Sequence, residues 1–391
     1  MQNGSTMLVT FRGALAAISA SATVASVGYC LLCCWAGISF VRQRRRTTPD
    51  RSDLPPVSIL KPLKGVDPNM YEALRSHCVQ DCPEYEILFG VSSMEDPAAR
   101  AVEQLGREFP DRKIRLMVCK ERLGANGKVS TLVQLLPHAS HEFLLVNDSD
   151  IRVHTDYLRS LIGELAAPGI GLVTCLYRGV PGRSISSKLE ALGINTDFMA
   201  GVLAARMMER GLHFGLGSTL AFRRSSLAKI GGFEAIIDYL ADDYELGRRI
   251  FQTGERIVLS HSVVQTNLPG YNFAGFWAHQ LRWARTIRAS RPSGYAGLLL
   301  TFTLPWAVAA FCLLPASWTG WLLAAALLAR AGMAVVSASL VLQEPKSWRY
   351  LWLLPVRDFV AVMVWLGGLF GKKIIWRGEV FRLESGKLKP Q

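Results

Sequence analysis

Between residues 13 and 41 the chain carries no charged side chain. A helix needs only about 20 such residues to cross a lipid bilayer. The apolar core of a cleaved signal peptide runs to about 7–15 residues, so this stretch argues against a cleaved leader and predicts a retained membrane anchor. A cysteine framework is missing too. Cys30, Cys33, Cys34 and Cys312 lie in apolar segments, while Cys78, Cys82, Cys119 and Cys175 are scattered, with no paired Cys or His at zinc spacing after them. That pattern speaks against a disulfide-stapled secreted domain and against a zinc module, and predicts reduced thiols in a cytosolic domain. Acidic residues are scarce beside basic ones, 31 against 44, for a formal charge of +13. The aromatic stacking motifs of RNA-binding modules are not there, and much of the excess sits in Arg42-Gln43-Arg44-Arg45-Arg46 and in Lys372, Lys373, Arg377, Arg382, Lys387 and Lys389. Lipid headgroups, rather than nucleic acid, are the expected partner of both clusters. Internal repeats and low-complexity segments are also missing.

Half of the 391 residues are hydrophobic, and they crowd the N-terminus and the last quarter. Length alone implies at least two structural units. The expected organisation is an anchor with its basic flank (1–46), a cytosolic domain (47–291) ending in an interfacial helix, and a membrane region with a basic tail (292–391). Basic residues flank the cytoplasmic end of a span, which puts the N-terminus outside and the middle domain in the cytosol. The C-terminal blocks 298–316, 318–342 and 350–370 are interrupted by Arg330 and by Arg357-Asp358. Three full crossings would put the basic tail outside. Two crossings plus a re-entrant or interfacial third block are therefore expected.

After a Pro-, Asp- and Thr-rich loop at 47–56, the middle domain alternates strand and helix signals. Strands are predicted at 57–60, 85–91, 114–118 and 142–146, and helices at 71–79, 97–109 and 128–136. Such alternation implies an α/β domain with a parallel sheet covered on both faces, which binds its ligands at the carboxyl ends of the strands.

Four constellations stand out. Glu95-Asp96-Pro97 follows the second strand, and Asp96 there suits an N-cap with proline at the first helical position. Asn147-Asp148-Ser149-Asp150 follows the fourth strand. Two carboxylates at a buried strand end can offer hard oxygens to Mg2+ or Mn2+ when donor phosphates complete the shell; a solvated acidic turn is the plainer alternative. Asp242-Asp243 begins a helical stretch, where acids favour the helix dipole but where one could also accept a proton from an attacking hydroxyl. Finally, His279-Gln280-Leu281-Arg282-Trp283 precedes the membrane blocks. It reads either as a basic interfacial helix or as an Arg282 that neutralises a diphosphate beside a Trp283 that walls an acceptor.

The order of these pieces resembles the ceramide glucosyltransferases and their relatives, the hopanoid-biosynthesis-associated glycosyltransferases of bacteria, from about residue 54 to the C-terminus. The carriers are Val57-Ser58-Ile59-Leu60-Lys61-Pro62-Leu63-Lys64-Gly65-Val66-Asp67, Asp96-Pro97, Asp148-Ser149-Asp150-Ile151-Arg152-Val153, Ala241-Asp242-Asp243-Tyr244 and Gln280-Leu281-Arg282-Trp283. The resemblance implies a GT-A-like nucleotide-sugar-binding domain with transmembrane helices at both ends. It implies an inverting hexosyl transfer, of glucose or N-acetylglucosamine, from a UDP-sugar to a hydroxyl of a membrane lipid such as ceramide or a hopanoid. Asp96 would contact the nucleotide, Asp148 the metal diphosphate, and Asp243 would be the base; Arg282 and Trp283 match the end of the family's Gln/Arg-x-x-Arg-Trp motif. Asn126 and Lys128 are candidates for donor phosphate or base, and Gly215–Ser218 for backbone access to the acceptor. Two departures are visible: His279 replaces the usual Gln or Arg, and Asp150 completes an Asp-x-Asp that animal ceramide glucosyltransferases lack. The run from Arg282 to Arg288 is nearer the bacterial branch, which implies a bacterial inner membrane. A processive polysaccharide synthase would need more membrane helices, and a non-catalytic lipid-binding scaffold would not need to keep Asp96, Asp148, Asp150 and Asp243.

Overall fold

The computed structural model describes residues 2–44 and 54–390. Arg45, Arg46 and most of the loop that follows lie outside the described residues. Two compact units emerge: Met1–Gln43, Arg183–Ala204 and Tyr271–Gly371 form one, and Arg44–Gly182, Ala205–Gly270 and Lys372–Gln391 the other. This division cuts across the sequential boundaries expected above. A helical insert and the Arg-Trp helix belong with the membrane segments, and the basic tail belongs with the α/β unit.

In the α/β unit the strands are β1 (Val57–Pro62), β2 (Tyr85–Val91), β3 (Lys113–Val118), β4 (Phe143–Val146), β5 (Ile151–Arg152), β6 (Ile170–Val180), β7 (Leu220–Arg223) and β8 (Arg256–Asn267). They form one sheet in the order β3-β2-β1-β4-β7-β6-β8-β5. β2 and β4 are buried along their whole length, which is why they read as continuous apolar runs rather than alternating ones. Val57, Ile59, Ile87, Phe89 and Leu145 pack there with Leu158, Leu161 and Ile162 of the helix Tyr157–Leu165.

The first four strands pair in parallel as expected, but the sheet is mixed. β7 runs antiparallel to both β4 and β6, and β5 antiparallel to β8, while β6 and β8 are parallel. The reversal has a consequence for the site. Val146, the last residue of β4, sits opposite Leu220, the first of β7, so the loop entering β7 reaches the end where β4 releases Asp148.

The basic tail is itself a folded element of the α/β unit. β9 (Lys373–Trp376), β10 (Glu379–Glu384) and β11 (Lys387–Pro390) form an antiparallel sheet. Arg377-Gly378 and Ser385-Gly386 are its two-residue turns, with φ of 51°, 83°, 49° and 81°, the doubly positive pattern that matches strand twist in a hairpin. Ile374, Phe381, Leu383 and Leu388 are buried beneath it.

In the helical unit, Thr10–Gln43, Ser317–Val341 and Lys346–Leu369 are long and apolar enough to cross a membrane, and the pair Pro292–Thr301 and Thr303–Leu313 is bent by 54°. The broken block is thus the first of the three C-terminal ones, not the last. The charges that interrupt these apolar helices find partners. Arg330, 1% exposed, lies 2.9 Å from Asp358 and 2.6 Å from Asp197.

Candidate active site

The α/β unit gathers four carboxylates and one lysine at the carboxyl end of β4. Lys128 stands in the first turn of the helix Gly127–Leu135. Its Nζ lies 2.8 Å from Asp148 Oδ1 and 3.1 Å from Asp242 Oδ2. Burial by itself lowers the Lys128 ammonium, but Asp148 and Asp242 outweigh it, and its pKa lies above the ordinary value. Asn126, fully buried, accepts from Val129 N and donates to Tyr239 O at 2.7 Å. Both ends of its amide are committed, so it caps and fixes the turn that presents Lys128.

Asp242 and Asp243 open the helix Asp242–Gln252. Asp242 is tied to Lys128. Asp243 Oδ1 accepts from the Tyr244 amide at 2.8 Å, and its Oδ2 lies 3.1 Å from where a side chain at Gly217 would begin; Asp148 Oδ2 is 3.4 Å from the same point. Gly217 therefore keeps open the space that these two carboxylates share. A Cβ at Gly215 would come within 2.9 Å of Asp243 O, and one at Gly247 within 2.1 Å of Gly215 N. The glycines at 215 and 217 let the loop close on the Asp242–Gln252 helix, a tighter demand than a plain turn makes. Burial and the neighbouring Asp242 raise the pKa of Asp243, and Lys128 opposes them only in part.

Asp150 accepts from Thr266 Oγ1 of β8, and burial followed by the Asp148 charge pushes its carboxyl up to about 6. Asp148 keeps 44% of its side chain exposed. Among the described residues no group of three or more His, Cys, Asp or Glu could hold a metal by itself. A Mg2+- or Mn2+-type site still fits the pair Asp148 and Asp150, because hard oxygens and an exposed carboxylate are what such an ion needs when phosphates supply the remaining ligands.

Asp96 does cap the helix Pro97–Glu108, accepting from Ala98 N at 2.9 Å, with Pro97 in the first turn. Its carboxylate also takes the Gly65 amide at 3.0 and 3.1 Å, which joins two of the motifs singled out in the sequence. Lys61 went unassigned there. It is fully buried and donates to Asp148 O at 3.0 Å, and burial pushes its pKa down to about 7. A lysine inside an otherwise apolar strand was the available signal. Asn147, also buried, is held by His77, Tyr157 and Ser218 O, at 3.2, 2.8 and 2.7 Å, so both residues beneath the Asp148 turn are clamped.

The remaining candidates belong to the helical unit, on the helix Phe273–Ser290. Trp283 packs against Phe198 and His279, with ring centroids 5.6 and 5.5 Å away. Gln280 is buried and Arg282 partly so. His279 stacks on Tyr271, and its Nδ1 lies 2.9 Å from Glu190 Oε1. Glu190 is 2% exposed; nothing in its local sequence marked it as the partner of a distant histidine.

A mixed sheet of this order, with an acidic turn after β4 and an acidic helix start facing it, defines a GT-A-like glycosyltransferase domain. Residues 18–389 match the description of glycosyl transferase family 21. The chain belongs to that family and is a glycosyltransferase. It is 25% identical to ceramide glucosyltransferase 3 of Caenorhabditis elegans over 390 residues, 95% of this chain and 83% of that one. To ceramide glucosyltransferase 1 of the same organism it is 24% identical over 255 residues, 65% of this chain and 54% of the relative. Among solved structures, a mannosyltransferase of Pyrobaculum calidifontis in complex with GDP-Man and Mn2+ shares the fold, with a TM-score of 0.56, 23% identity and coverage of 91% of this chain and 99% of that one.

Proposed function

We propose that the protein transfers a hexose, glucose or N-acetylglucosamine, from a UDP-sugar to a hydroxyl of a membrane lipid, ceramide- or hopanoid-like, with inversion at the anomeric carbon. The observation that carries this reading is the space beside Gly217, bordered by Asp148 on one side and Asp243 on the other. Asp148 and Asp150, with Asp96 and Lys128, receive the nucleotide diphosphate. Mg2+ or Mn2+ held there would supply positive charge to the departing diphosphate. Asp243 takes the proton of the acceptor hydroxyl as that oxygen attacks the sugar; a carboxyl raised by burial is a better base at neutral pH than an exposed one. Its neighbour is already paired with Lys128, which favours Asp243 over Asp242 for the role. Arg282 contributes cationic charge to the leaving group, Trp283 an acceptor wall, and His279 and Gln280 the helix face that carries them. One displacement needs no covalent enzyme intermediate.

The basic flank at Arg42 and the three candidate spans support a multi-pass protein with the α/β unit on the cytosolic side; the assignment to a bacterial inner membrane rests on the likeness of the run from Arg282 to Arg288 to the bacterial branch. The test is incubation of the membrane-reconstituted protein with several UDP-sugars and a membrane lipid extract, read by mass spectrometry. A hexose or N-acetylhexosamine added to one lipid class, lost in excess chelator and restored by Mg2+ or Mn2+, is expected. Sugar released to water with no glycolipid formed would overturn the acceptor assignment, and full transfer in excess chelator would overturn the metal's part.

A further inference from the structure

The C-terminal sheet touches three segments of the α/β unit, and each leads straight into a residue of the candidate active site. Toward residues 64–67, Arg377 Nη1 donates to Lys64 O at 2.7 Å and Nη2 lies 3.6 Å from Asp67 Oδ2. Gly65 in that segment donates to Asp96, and Asp67 accepts from Ser149 Oγ, between Asp148 and Asp150. Toward residues 122–125, Glu379 takes Arg122 Nη1 and Nη2 at 3.0 and 2.9 Å and Lys64 Nζ at 3.1 Å. The same Arg122 holds Gly124 O and Ala125 O at 2.9 and 2.7 Å, shaping the turn that delivers Lys128. Toward residues 238–240, Leu388 N donates to Asp238 O at 2.7 Å and Leu240 N to Gly386 O at 3.1 Å, just ahead of Asp242 and Asp243. A cavity of about 500 Å3, bordered by Arg122, Gly124, Glu379 and Phe381, separates the sheet from the 122–125 turn elsewhere. At its rim Arg122 and Glu379 join the two by charge.

We propose that this sheet is a positioning element of the donor site, with Arg377 and Glu379 as its positioning residues, holding residues 64–67 and 122–125 in the geometry that receives the nucleotide end of the donor. The proposal rests on the reading that Asp96 and Asp148 meet that nucleotide. An unconnected stabilising cap would touch one surface; this sheet grips the two loops whose backbone and side chains anchor Asp96, Ser149 and Lys128. Its ion pairs are half-exposed, and such pairs contribute little to stability, so their loss should loosen the loops without unfolding the unit.

The test uses the full-length protein with Arg377→Asn, which preserves the turn because asparagine suits a positive φ before glycine, and with Glu379→Gln. Each is expected to raise the UDP-sugar KM about 3- to 10-fold and to weaken UDP binding in step, with kcat and the lipid KM within about twofold of the parent. Amide exchange at residues 64–67 should accelerate in both. Asp96→Ala is measured alongside. If it loses UDP affinity while both tail variants keep theirs, the tail is a stability element and the proposal fails alone. If Asp96→Ala also retains affinity, the donor-site reading falls and takes the proposal with it. A drop in melting temperature and kcat with an unmoved donor KM would equally overturn it.

Discussion

The two units bury charge in opposite ways. In the helical unit Arg330 meets Asp197 and Asp358, Arg357 lies 4.0 Å from Asp197, and Asp358 is 3% exposed, two cations beside two carboxylates. That cluster is closed and charge is matched where the chain can least tolerate an unpaired ion. In the α/β unit Asp148, Asp150, Asp242 and Asp243 gather around Lys128, with Lys61 beneath and its pKa depressed. Here negative charge exceeds what the protein supplies against it, and burial first, with the neighbouring carboxylates second, raises the carboxyls of Asp150 and Asp243. A matched buried cluster serves the fold. An unmatched one at a strand end is a place prepared for something that brings positive charge or takes up a proton, at a cost in stability.

The comparison is sharpest in stability. Arg330→Met leaves Asp358 buried without its cation, and breaking a buried pair in this way costs about 3–5 kcal/mol. Asp243→Asn removes one of two adjacent carboxylates and should leave the melting temperature unchanged or raised. Thermal unfolding in one detergent, measured for both variants, should therefore show shifts of opposite sign or a shift in Arg330→Met alone. A loss in both would erase the distinction drawn between the units.

A smaller effect lies away from either cluster. Glu164, on the helix Tyr157–Leu165, accepts from Ser260 at 3.1 Å through Oε1 and lies deep in the unit, away from any counter-charge. Burial raises its carboxyl from 4.5 to about 7. The stability it contributes is thus fully present below pH 4.5 and is lost as pH rises through 7. Glu164→Gln should match the parent near pH 4.5 and exceed it by about 1–3 kcal/mol at pH 8. Equal unfolding midpoints at both pH values would show that this carboxyl titrates normally.

Much of this was legible in the chain because local signals sufficed. Asp96-Pro97 marked a helix start, the apolar run before Asn147 marked a buried strand, and the acidic turn after it then had to lie at a sheet end. The features that escaped are those made by distant pairing. β7 carries the same apolar signal whichever way it runs, and only its partners β4 and β6 reveal that it is antiparallel. The tail hid its strands because charged residues alternate with Ile374, Phe381 and Leu388 in pieces of four to six residues. Its Ser385-Gly386 turn was a signal that charge obscured. Glu190 and Lys61 gained meaning only from what they touch, His279 in one case and the Asp148 carbonyl in the other.

On this reading Asp243 acts as the base while Asp242 anchors Lys128. Turnover and UDP-sugar affinity of Asp243→Asn and Asp242→Asn, measured side by side, test it most directly. Asp243→Asn should lose about 100-fold or more in kcat, as expected for a missing general base, with donor affinity retained. Asp242→Asn should lose less turnover and more donor affinity, because it releases Lys128 from one of its two carboxylates. A dead Asp242→Asn beside an active Asp243→Asn would contradict the assignment, and activity in both would place the base elsewhere.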